Sequence, residues 1–217
     1  MTTVCGFCAE LSDTDTSNNL MKTEIAPALS IDSRIMYETE NYVVIPTIGC
    51  FVKGYVLIVS KQHYDCAGKM SKSSIMELCH LTLKVIAAIK KSYGVDSIVF
   101  EHGAVSCANR FGGCINHAHI HIVPCMESVL GELEKRPVRL QMLSSLTDIA
   151  QKANRGEPYL FFRDVDDKKY FVESDIMISQ FFRQLLAKKH GVSNKWDWRQ
   201  NFFLDNMRLT MYTLKIA

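Results

Sequence analysis

The chain has 217 residues, which is enough for one large domain or for a domain with an extension. Apolar residues make up 47% and charged residues 22%, and these values exclude a disordered chain. A formal net charge of +2 gives no electrostatic sign of a surface for nucleic acid or for an anionic membrane. We therefore expect a folded protein whose partners are neither.

Eight cysteines allow three explanations, namely a disulfide framework, a metal site or reduced thiols. The opening residues, MTTVCGFC, show neither the basic nor the apolar segment of a signal peptide, and no run of 18 apolar residues follows. We therefore expect a cytoplasmic protein, in which disulfides are rare. Most of the cysteines are then small buried apolar residues.

Hydrophobic patterning predicts two strands and a long helix in the first half of the chain. The apolar, β-branched segments 43–45 and 55–59 have the composition of strands. Residues 71–93 are predicted as a helix, because apolar side chains recur on one face and Gly94 follows. Ser74 and Glu77 have the spacing of a capping box near its start.

Two further strands are predicted at 98–100 and 116–123, with a glycine-containing loop at 103–113 between them and Pro124 ending the second. The order strand, strand, helix, strand, loop, strand indicates an α+β fold with an antiparallel sheet of about five strands flanked by helices. We expect this core domain to span residues 1–130. Residues 131–217 would be an α/β extension packed on the core, with a helix over 131–156, a hairpin from 159–162 and 169–172, and a helix over 179–190.

Three histidines alternate with apolar residues in the segment HAHIHIV, residues 117–123. Successive side chains of a strand face opposite sides, so His117, His119 and His121 share one face while the intervening residues face the core. Chance clustering is improbable, since the chain has only 7 histidines. The pattern suits a metal site with two or three imidazole ligands, or phosphoryl chemistry in which one imidazole attacks phosphorus and its neighbours hold the oxygens.

This segment resembles the signature of the histidine-triad (HIT) superfamily, His-φ-His-φ-His-φ-φ, where φ is apolar. Residues 54–63, GYVLIVSKQH, are similar to the family's strand and Pro-Lys-x-His turn, with Ser60 in place of proline. Residues 5–8, CGFC, are similar to the Phe-Cys start of many members. The matches keep the family's order and cover roughly residues 1–130. They imply a HIT-like antiparallel sheet and a small-molecule nucleotide substrate.

The resemblance also implies a role for each of the last two histidines. His119 would attack the α-phosphate of a nucleotide and form a covalent nucleotidyl-histidine intermediate. His121 would bind the phosphoryl oxygens. Release by water would make the protein a hydrolase of phosphoric anhydride or phosphoramidate bonds, with dinucleoside polyphosphates as the favoured substrates. A nucleotidyltransferase that uses phosphate or a sugar phosphate as acceptor, a non-catalytic nucleotide-binding module and a metallohydrolase are the alternatives.

Four residues match the ligands of a structural zinc in zinc-containing HIT members and in the related galactose-1-phosphate uridylyltransferases. They are Cys5, Cys8, His63 and His117. Two thiolates and two imidazoles would complete a closed tetrahedral site and hold the N-terminus beside the triad. A redox pair is the alternative for Cys-x-x-Cys, although no strand precedes it here.

The phosphate-binding stretch before the triad departs from the family pattern. Gly112, Gly113 and Cys114 stand where Gly-Gln-Ser or Gly-Gln-Thr is usual. Backbone N–H groups of this loop are expected to bind the phosphate, together with Arg110 and Asn116.

Ribose recognition departs from the family as well, because Thr47 occupies the position of the usual acidic residue. Glu38 and Glu40 are the candidate substitutes. We therefore expect residues 157–205 to fold over the active site and set substrate choice, and a truncation at Glu157 to stop turnover without loss of the fold. Arg163, Arg183 and Arg199 are further candidate cations for the phosphates. A homodimer is one arrangement that the resemblance allows.

Overall fold

The computed structural model describes residues 5–13, 19–103, 115–173 and 180–217, and its centre is an antiparallel sheet. The order across the sheet is β1-β2-β3-β5-β4-β7-β8-β6, and neighbouring strands are antiparallel throughout. The α+β prediction is confirmed, while the expected count of about five strands is too low. In chain order the strands are β1 (Tyr37–Glu38), β2 (Tyr42–Pro46), β3 (Val56–Ser60), β4 (Asp96–Gly103), β5 (His119–Cys125), β6 (Arg139–Leu143), β7 (Tyr159–Arg163) and β8 (Lys169–Glu173).

The additional strands come from the C-terminal part of the chain. The predicted hairpin is confirmed as β7 and β8, and β7 pairs with β4, with Phe100 opposite Phe162. The helix predicted over 131–156 is wrong for its middle, which is strand β6. Pro137 lacks an N–H and cannot continue a helix, and the residues after it pair with β8. The helical parts there are α4 (Leu130–Leu133), a 3-10 turn at Leu146–Asp148 and α5 (Ile149–Asn154).

The long helix α3 (Lys72–Tyr93) covers one face of the sheet, as predicted. Its N-cap is Ser71, whose side chain accepts a hydrogen bond from the backbone N–H of Ser74, so the predicted capping box is wrong. Glu77 instead accepts hydrogen bonds from the backbone and side chain of Asn41. The apolar side of α3 packs on the sheet through a buried cluster that includes Ile75, Leu78, Val85, Ile89, Ile120 and Ile122.

Shorter helices cover the opposite face of the sheet. These are α1 (Gly6–Leu11), α2 (Ala26–Leu29), α6 (Phe181–Lys189) and α7 (Leu204–Thr213), with a π-helical turn at Met21–Ile25 leading into α2. The predicted helix over 179–190 corresponds to α6. A second buried cluster joins these helices to the sheet, through Phe7, Phe100, Phe162, Phe182 and Met207 among others. Within the described ranges, none of the helices has the length and apolarity to span a membrane.

Candidate active site and metal centre

The alternation of strand β5 divides the triad segment between the two faces of the sheet. Ile120 and Ile122 lie in the cluster beneath α3. His119 and His121 face the other way and line a cavity. His117 precedes the first residue of β5 and is buried beside α1. Local strand geometry therefore places His119 and His121 on the predicted face, while His117, outside the strand, lies against the N-terminal cysteines.

The imidazole of His117 completes a cluster of four candidate ligands. The ligand atoms of Cys5, Cys8, His63 and His117 all lie within 4.8 Å of one another. The Sγ of Cys5 is 3.3 Å and that of Cys8 3.6 Å from Nδ1 of His117, while the Sγ of Cys8 is 3.3 Å from Nδ1 of His63. Sulfur and nitrogen ligands of a tetrahedral zinc are separated by about 3.6 Å, given the usual bond lengths. The spacing therefore fits a tetrahedral metal site.

The tautomer of His117 also fits metal binding. Its Nε2 lies 2.7 Å from the carbonyl oxygen of Ser60. A carbonyl oxygen can only accept, so Nε2 carries the proton and Nδ1 presents its lone pair to the thiols. A second hydrogen bond of this kind is the usual way in which proteins orient a metal-binding histidine. The four side chains form a candidate metal centre on the evidence of both distance and tautomer.

His119 is held by the backbone of its neighbour in the triad. Its Nδ1 lies 2.6 Å from the carbonyl oxygen of His117 and must therefore donate its proton to that oxygen. Nε2 is then left unprotonated. Burial lowers the pKa of His119 below its ordinary value, which keeps the ring neutral at physiological pH. The ring of Phe7 packs 5.2 Å from the imidazole, centroid to centroid.

His121 lies deeper and is fixed by aromatic residues. Its ring stacks on Phe100 with a centroid distance of 4.3 Å and an angle of 9° between the planes. Its Nδ1 is 2.7 Å from the hydroxyl oxygen of Tyr55. Burial is the main cause that holds the pKa of His121 well below its ordinary value, and the nearby His119, His102 and Arg183 add to it. The ring is thus neutral, and its centroid lies 4.9 Å from that of His119.

The cavity above these histidines has the lining of a small-molecule site, with apolar walls and a few polar groups. Apolar walls are provided by Phe7, Leu20, Met21, Ile48, Leu57 and Trp198, and polar groups by Glu10, Arg34, Gln180 and Arg183, besides the histidines. Elements from both ends of the chain therefore meet over strand β5.

Two sequence comparisons with known proteins identify the family of the chain. The family model of the HIT domain matches residues 28–128. An uncharacterized HIT-like protein of Methanocaldococcus jannaschii is 30% identical over 99 residues, which are 45% of this chain and 72% of that protein. The chain belongs to the HIT family.

Solved structures also resemble the chain at lower sequence identity. A Zn-bound histidine triad family protein from Mycobacterium smegmatis is 18% identical with a TM-score of 0.42, covering 72% of this chain and 94% of that one. The protein SMU.412c from Streptococcus mutans is 22% identical with a TM-score of 0.42, covering 58% and 68%.

The phosphate-binding residues predicted for this HIT protein lie largely outside the described residues. This holds for Arg110, Gly112, Gly113 and Cys114, which stay predictions. Asn116 is described, and its side-chain amide donates to the carboxylate of Asp65 at 2.6 Å.

Of the three candidate cations in the C-terminal part, the structure brings Arg183 to the cavity. Arg163 forms an ion pair with Asp167 instead. Arg199 lies 3.6 Å from Asp197, with its guanidinium over the ring of Trp198.

The carboxylate at the cavity of this HIT protein is one that the sequence reasoning missed. Glu38 is exposed and pairs with Lys61, and neither it nor Glu40 lines the cavity. Glu10 does, and both of its oxygens accept hydrogen bonds of 2.7 Å from the buried guanidinium of Arg34. Thr47, at the position where the resemblance puts the family's acidic residue, lines the same cavity. No local motif marks Glu10, since it lies on a helix of only 6 residues.

Proposed function

We propose that this HIT protein cleaves a nucleotide at its α-phosphate through a covalent nucleotidyl-histidine intermediate on His119. The observation that carries the proposal is the hydrogen bond from Nδ1 of His119 to the carbonyl of His117. This bond fixes the tautomer in which Nε2 has the free lone pair that a nucleophile needs. Since burial also lowers the pKa of His119, the nucleophile is unprotonated at neutral pH.

The reaction would proceed in two displacements at phosphorus. In the first, Nε2 of His119 forms a bond to the α-phosphorus, and the bond from phosphorus to the leaving group breaks with its electron pair on the leaving group. His121 donates a hydrogen bond to the phosphoryl oxygens as negative charge develops. In the second, the oxygen of water attacks phosphorus, the N–P bond breaks, and the water loses a proton to solvent. The products are a nucleoside monophosphate and the free imidazole.

The substrate class is a nucleoside (poly)phosphate or phosphoramidate, and the sequence resemblance favours a dinucleoside polyphosphate. Two features of the cavity support a nucleotide. Its apolar walls, including Trp198, suit a base. The buried guanidinium of Arg183 provides positive charge beside the histidines that would receive the phosphate.

We further propose that Cys5, Cys8, His63 and His117 hold a structural zinc ion. Four protein ligands complete a tetrahedral site, so the metal would stabilise the fold without an open position for substrate. Its effect would be to fix helix α1, which carries Phe7 and Glu10 into the cavity. A metallohydrolase that uses the whole triad as ligands is disfavoured, because Nδ1 of His117 lies against the thiols of Cys5 and Cys8 and its Nε2 donates to the carbonyl of Ser60.

Mass spectrometry after rapid quenching would test the proposed reaction. The protein is mixed with dinucleoside polyphosphates, nucleoside triphosphates and nucleoside phosphoramidates. We expect the added mass of one nucleotidyl group, a nucleoside monophosphate less one water, on a peptide that contains His119. The His119→Asn variant should lose the adduct, while His80→Asn, at an exposed position of α3, should retain it. Turnover that survives in His119→Asn would refute the proposal.

The acceptor is decided in the same experiment. Hydrolysis gives the free monophosphate whether or not phosphate or a hexose phosphate is present, whereas a nucleotidyltransferase gives a new nucleotide in their presence. Nucleotide binding without any adduct or product would favour the non-catalytic module.

A further inference from the structure

The guanidinium of Arg183, on helix α6, lies in an unusual environment beneath the cavity. It is 2% exposed, and each of its three nitrogens donates to a neutral oxygen. Nε donates to the carbonyl of Trp196 at 3.0 Å, Nη2 to the carbonyl of Gly49 at 2.8 Å, and Nη1 to the hydroxyl of Tyr55 at 3.2 Å. None of the carboxylates in the described part of the chain forms an ion pair with it.

These contacts determine where the proton of Tyr55 goes. A guanidinium has donors only, so the oxygen of Tyr55 must be the acceptor in its contact with Arg183. Tyr55 is fully buried, and burial raises the pKa of its hydroxyl to about 12, so the proton stays on the oxygen at neutral pH. The other partner of this hydroxyl is Nδ1 of His121 at 2.7 Å. Donation to that nitrogen satisfies the buried O–H group, whereas the opposite arrangement would leave its proton without an acceptor.

We infer that Arg183, acting through the hydroxyl of Tyr55, holds His121 in the tautomer that carries its proton on Nε2. His119 has the opposite tautomer, because its Nδ1 donates to the carbonyl of His117. The two neighbouring imidazoles are thereby prepared for different tasks, a lone pair at Nε2 of His119 and an N–H donor at Nε2 of His121. The catalytic roles of the two histidines rest on the proposed function, whereas their tautomers follow from the hydrogen bonds alone. Arg183 and Tyr55 are positioning residues in this scheme.

Close packing holds both the guanidinium of Arg183 and the ring of His121. Gly49 has φ +77°, and a Cβ atom there would lie 2.5 Å from Nη2 of Arg183 and 2.7 Å from Cβ of Trp198. The close approach of the guanidinium therefore requires glycine at this position. Stacking on Phe100 fixes the plane of the His121 ring. A helix of the C-terminal part thus sets the hydrogen-bonding state of a triad histidine.

The charged surroundings of His121 act in the same direction. The titratable groups that face it are His119, His102 and Arg183, together with the hydroxyl of Tyr55. His119, His102 and Arg183 all disfavour a second proton on the ring. His121 therefore has one proton, and it can donate to a substrate only if that proton is on Nε2. A tautomer fixed by Tyr55 meets that condition.

Nitrogen-15 NMR of the full chain with labelled histidine tests the inference without any substrate. In the wild type we expect His121 to show an unprotonated Nδ1 and a protonated Nε2, and His119 to show the reverse. Tyr55→Phe should introduce an Nδ1-protonated population of His121 and leave His119 unchanged. Tyr42→Phe is the matched control, because the buried hydroxyl of Tyr42 donates to the carbonyl of Ser74 on the other face of the sheet. A protonated Nδ1 on His121 in the wild type would overturn the inference.

The rate of adduct formation on His119 supplies the second measurement. Loss of one donor to a developing oxyanion costs about 10²–10³ in kcat. Tyr55→Phe misplaces the donor in only part of the population, so it should slow adduct formation by at least about tenfold. Its nucleotide Kd should stay near that of the wild type, and Tyr42→Phe should keep the wild-type rate. Equal loss of rate in the two variants would refute the positioning role. Absence of any adduct in the wild type would refute the proposed function, and the NMR result would still decide the tautomer.

Discussion

The carboxyl group of Glu101 should make the stability of the protein fall as the pH rises from 4.5 to about 7. Glu101 is 1% exposed on β4, and burial raises its pKa from 4.5 to about 7. Its two oxygens accept hydrogen bonds from the backbone N–H of Ala67 and the hydroxyl of Tyr159, which offset only part of the burial effect. The folded state therefore keeps this proton over a pH range in which the unfolded chain has lost it.

The magnitude follows from the two pKa values. Between pH 4.5 and about 7 the folded state binds more protons at Glu101 than the unfolded state does, so the free energy of unfolding decreases as the pH rises. Each pH unit of this interval is worth about 1.4 kcal/mol, giving a loss of about 3 kcal/mol that is complete above pH 7. Buried histidines act in the opposite direction: burial lowers the pKa of His102 to about 3, so its contribution to stability grows with pH up to its ordinary value.

Urea unfolding from pH 4.5 to pH 8 checks this prediction at constant metal content. Glu101→Gln resembles the protonated acid and cannot ionise, so the difference between wild type and variant isolates one group from the histidines. We expect that difference to move by about 3 kcal/mol in favour of the glutamine variant as the pH rises. Glu134→Gln, at an exposed position, controls for the loss of one negative charge. A difference that is independent of pH would show that burial does not shift this carboxyl group.

Three further predictions concern the metal cluster, the packing of Gly49 against Arg183, and recognition of the ribose of a nucleotide. Removal of metal by a chelator, or Cys8→Ser, should speed hydrogen exchange in residues 6–11, whereas Cys79→Ser on α3 should not. Unchanged exchange would mean that the metal cluster does not stabilise helix α1. Gly49→Ala should lower the free energy of unfolding in urea by about 1–3 kcal/mol, and more than Gly191→Ala, since a Cβ at 191 has nothing within 4 Å. Glu10→Gln should reduce the preference for a ribonucleotide over its 2′-deoxy form in titration calorimetry, and an undiminished preference would mean that Glu10 does not contact the sugar.

The parts of the structure that the sequence predicts are those with a local pattern. Alternation in HAHIHIV assigns His119 and His121 to one face, because strand geometry leaves no other arrangement for residues two apart. The apolar repeat and Gly94 mark helix α3 to within one residue at its start. The resemblance to the HIT family brings Cys5, Cys8 and His63 to His117, a grouping that the structure contains.

The parts that the sequence does not predict depend on contacts between distant segments. Tyr55 reads as one apolar residue of a strand, and its contact with His121 requires the pairing of β3 with β5. In the sequence nothing distinguishes Arg183 from a surface arginine, because its burial depends on the packing of α6 against the sheet. Glu10 gains its partner Arg34 only when α1 is in place. Strand β6 has only 5 residues, which are too few to show the alternation of apolar and polar side chains that predicts a strand.

Residues 131–217 are part of the central sheet, because their strand β7 pairs with β4. Strand β7 occupies the edge of β4, so a homodimer that pairs through this edge is not open to the chain. Phe182 of α6 packs 5.0 Å from Phe100, the ring on which His121 stacks. A truncation at Glu157 would expose β4 and this aromatic layer, and the expectation that such a truncation spares the fold is therefore withdrawn. Residues of the C-terminal part both line the cavity and belong to the buried core. Its role in the site is therefore better tested by point substitutions such as Tyr55→Phe than by truncation.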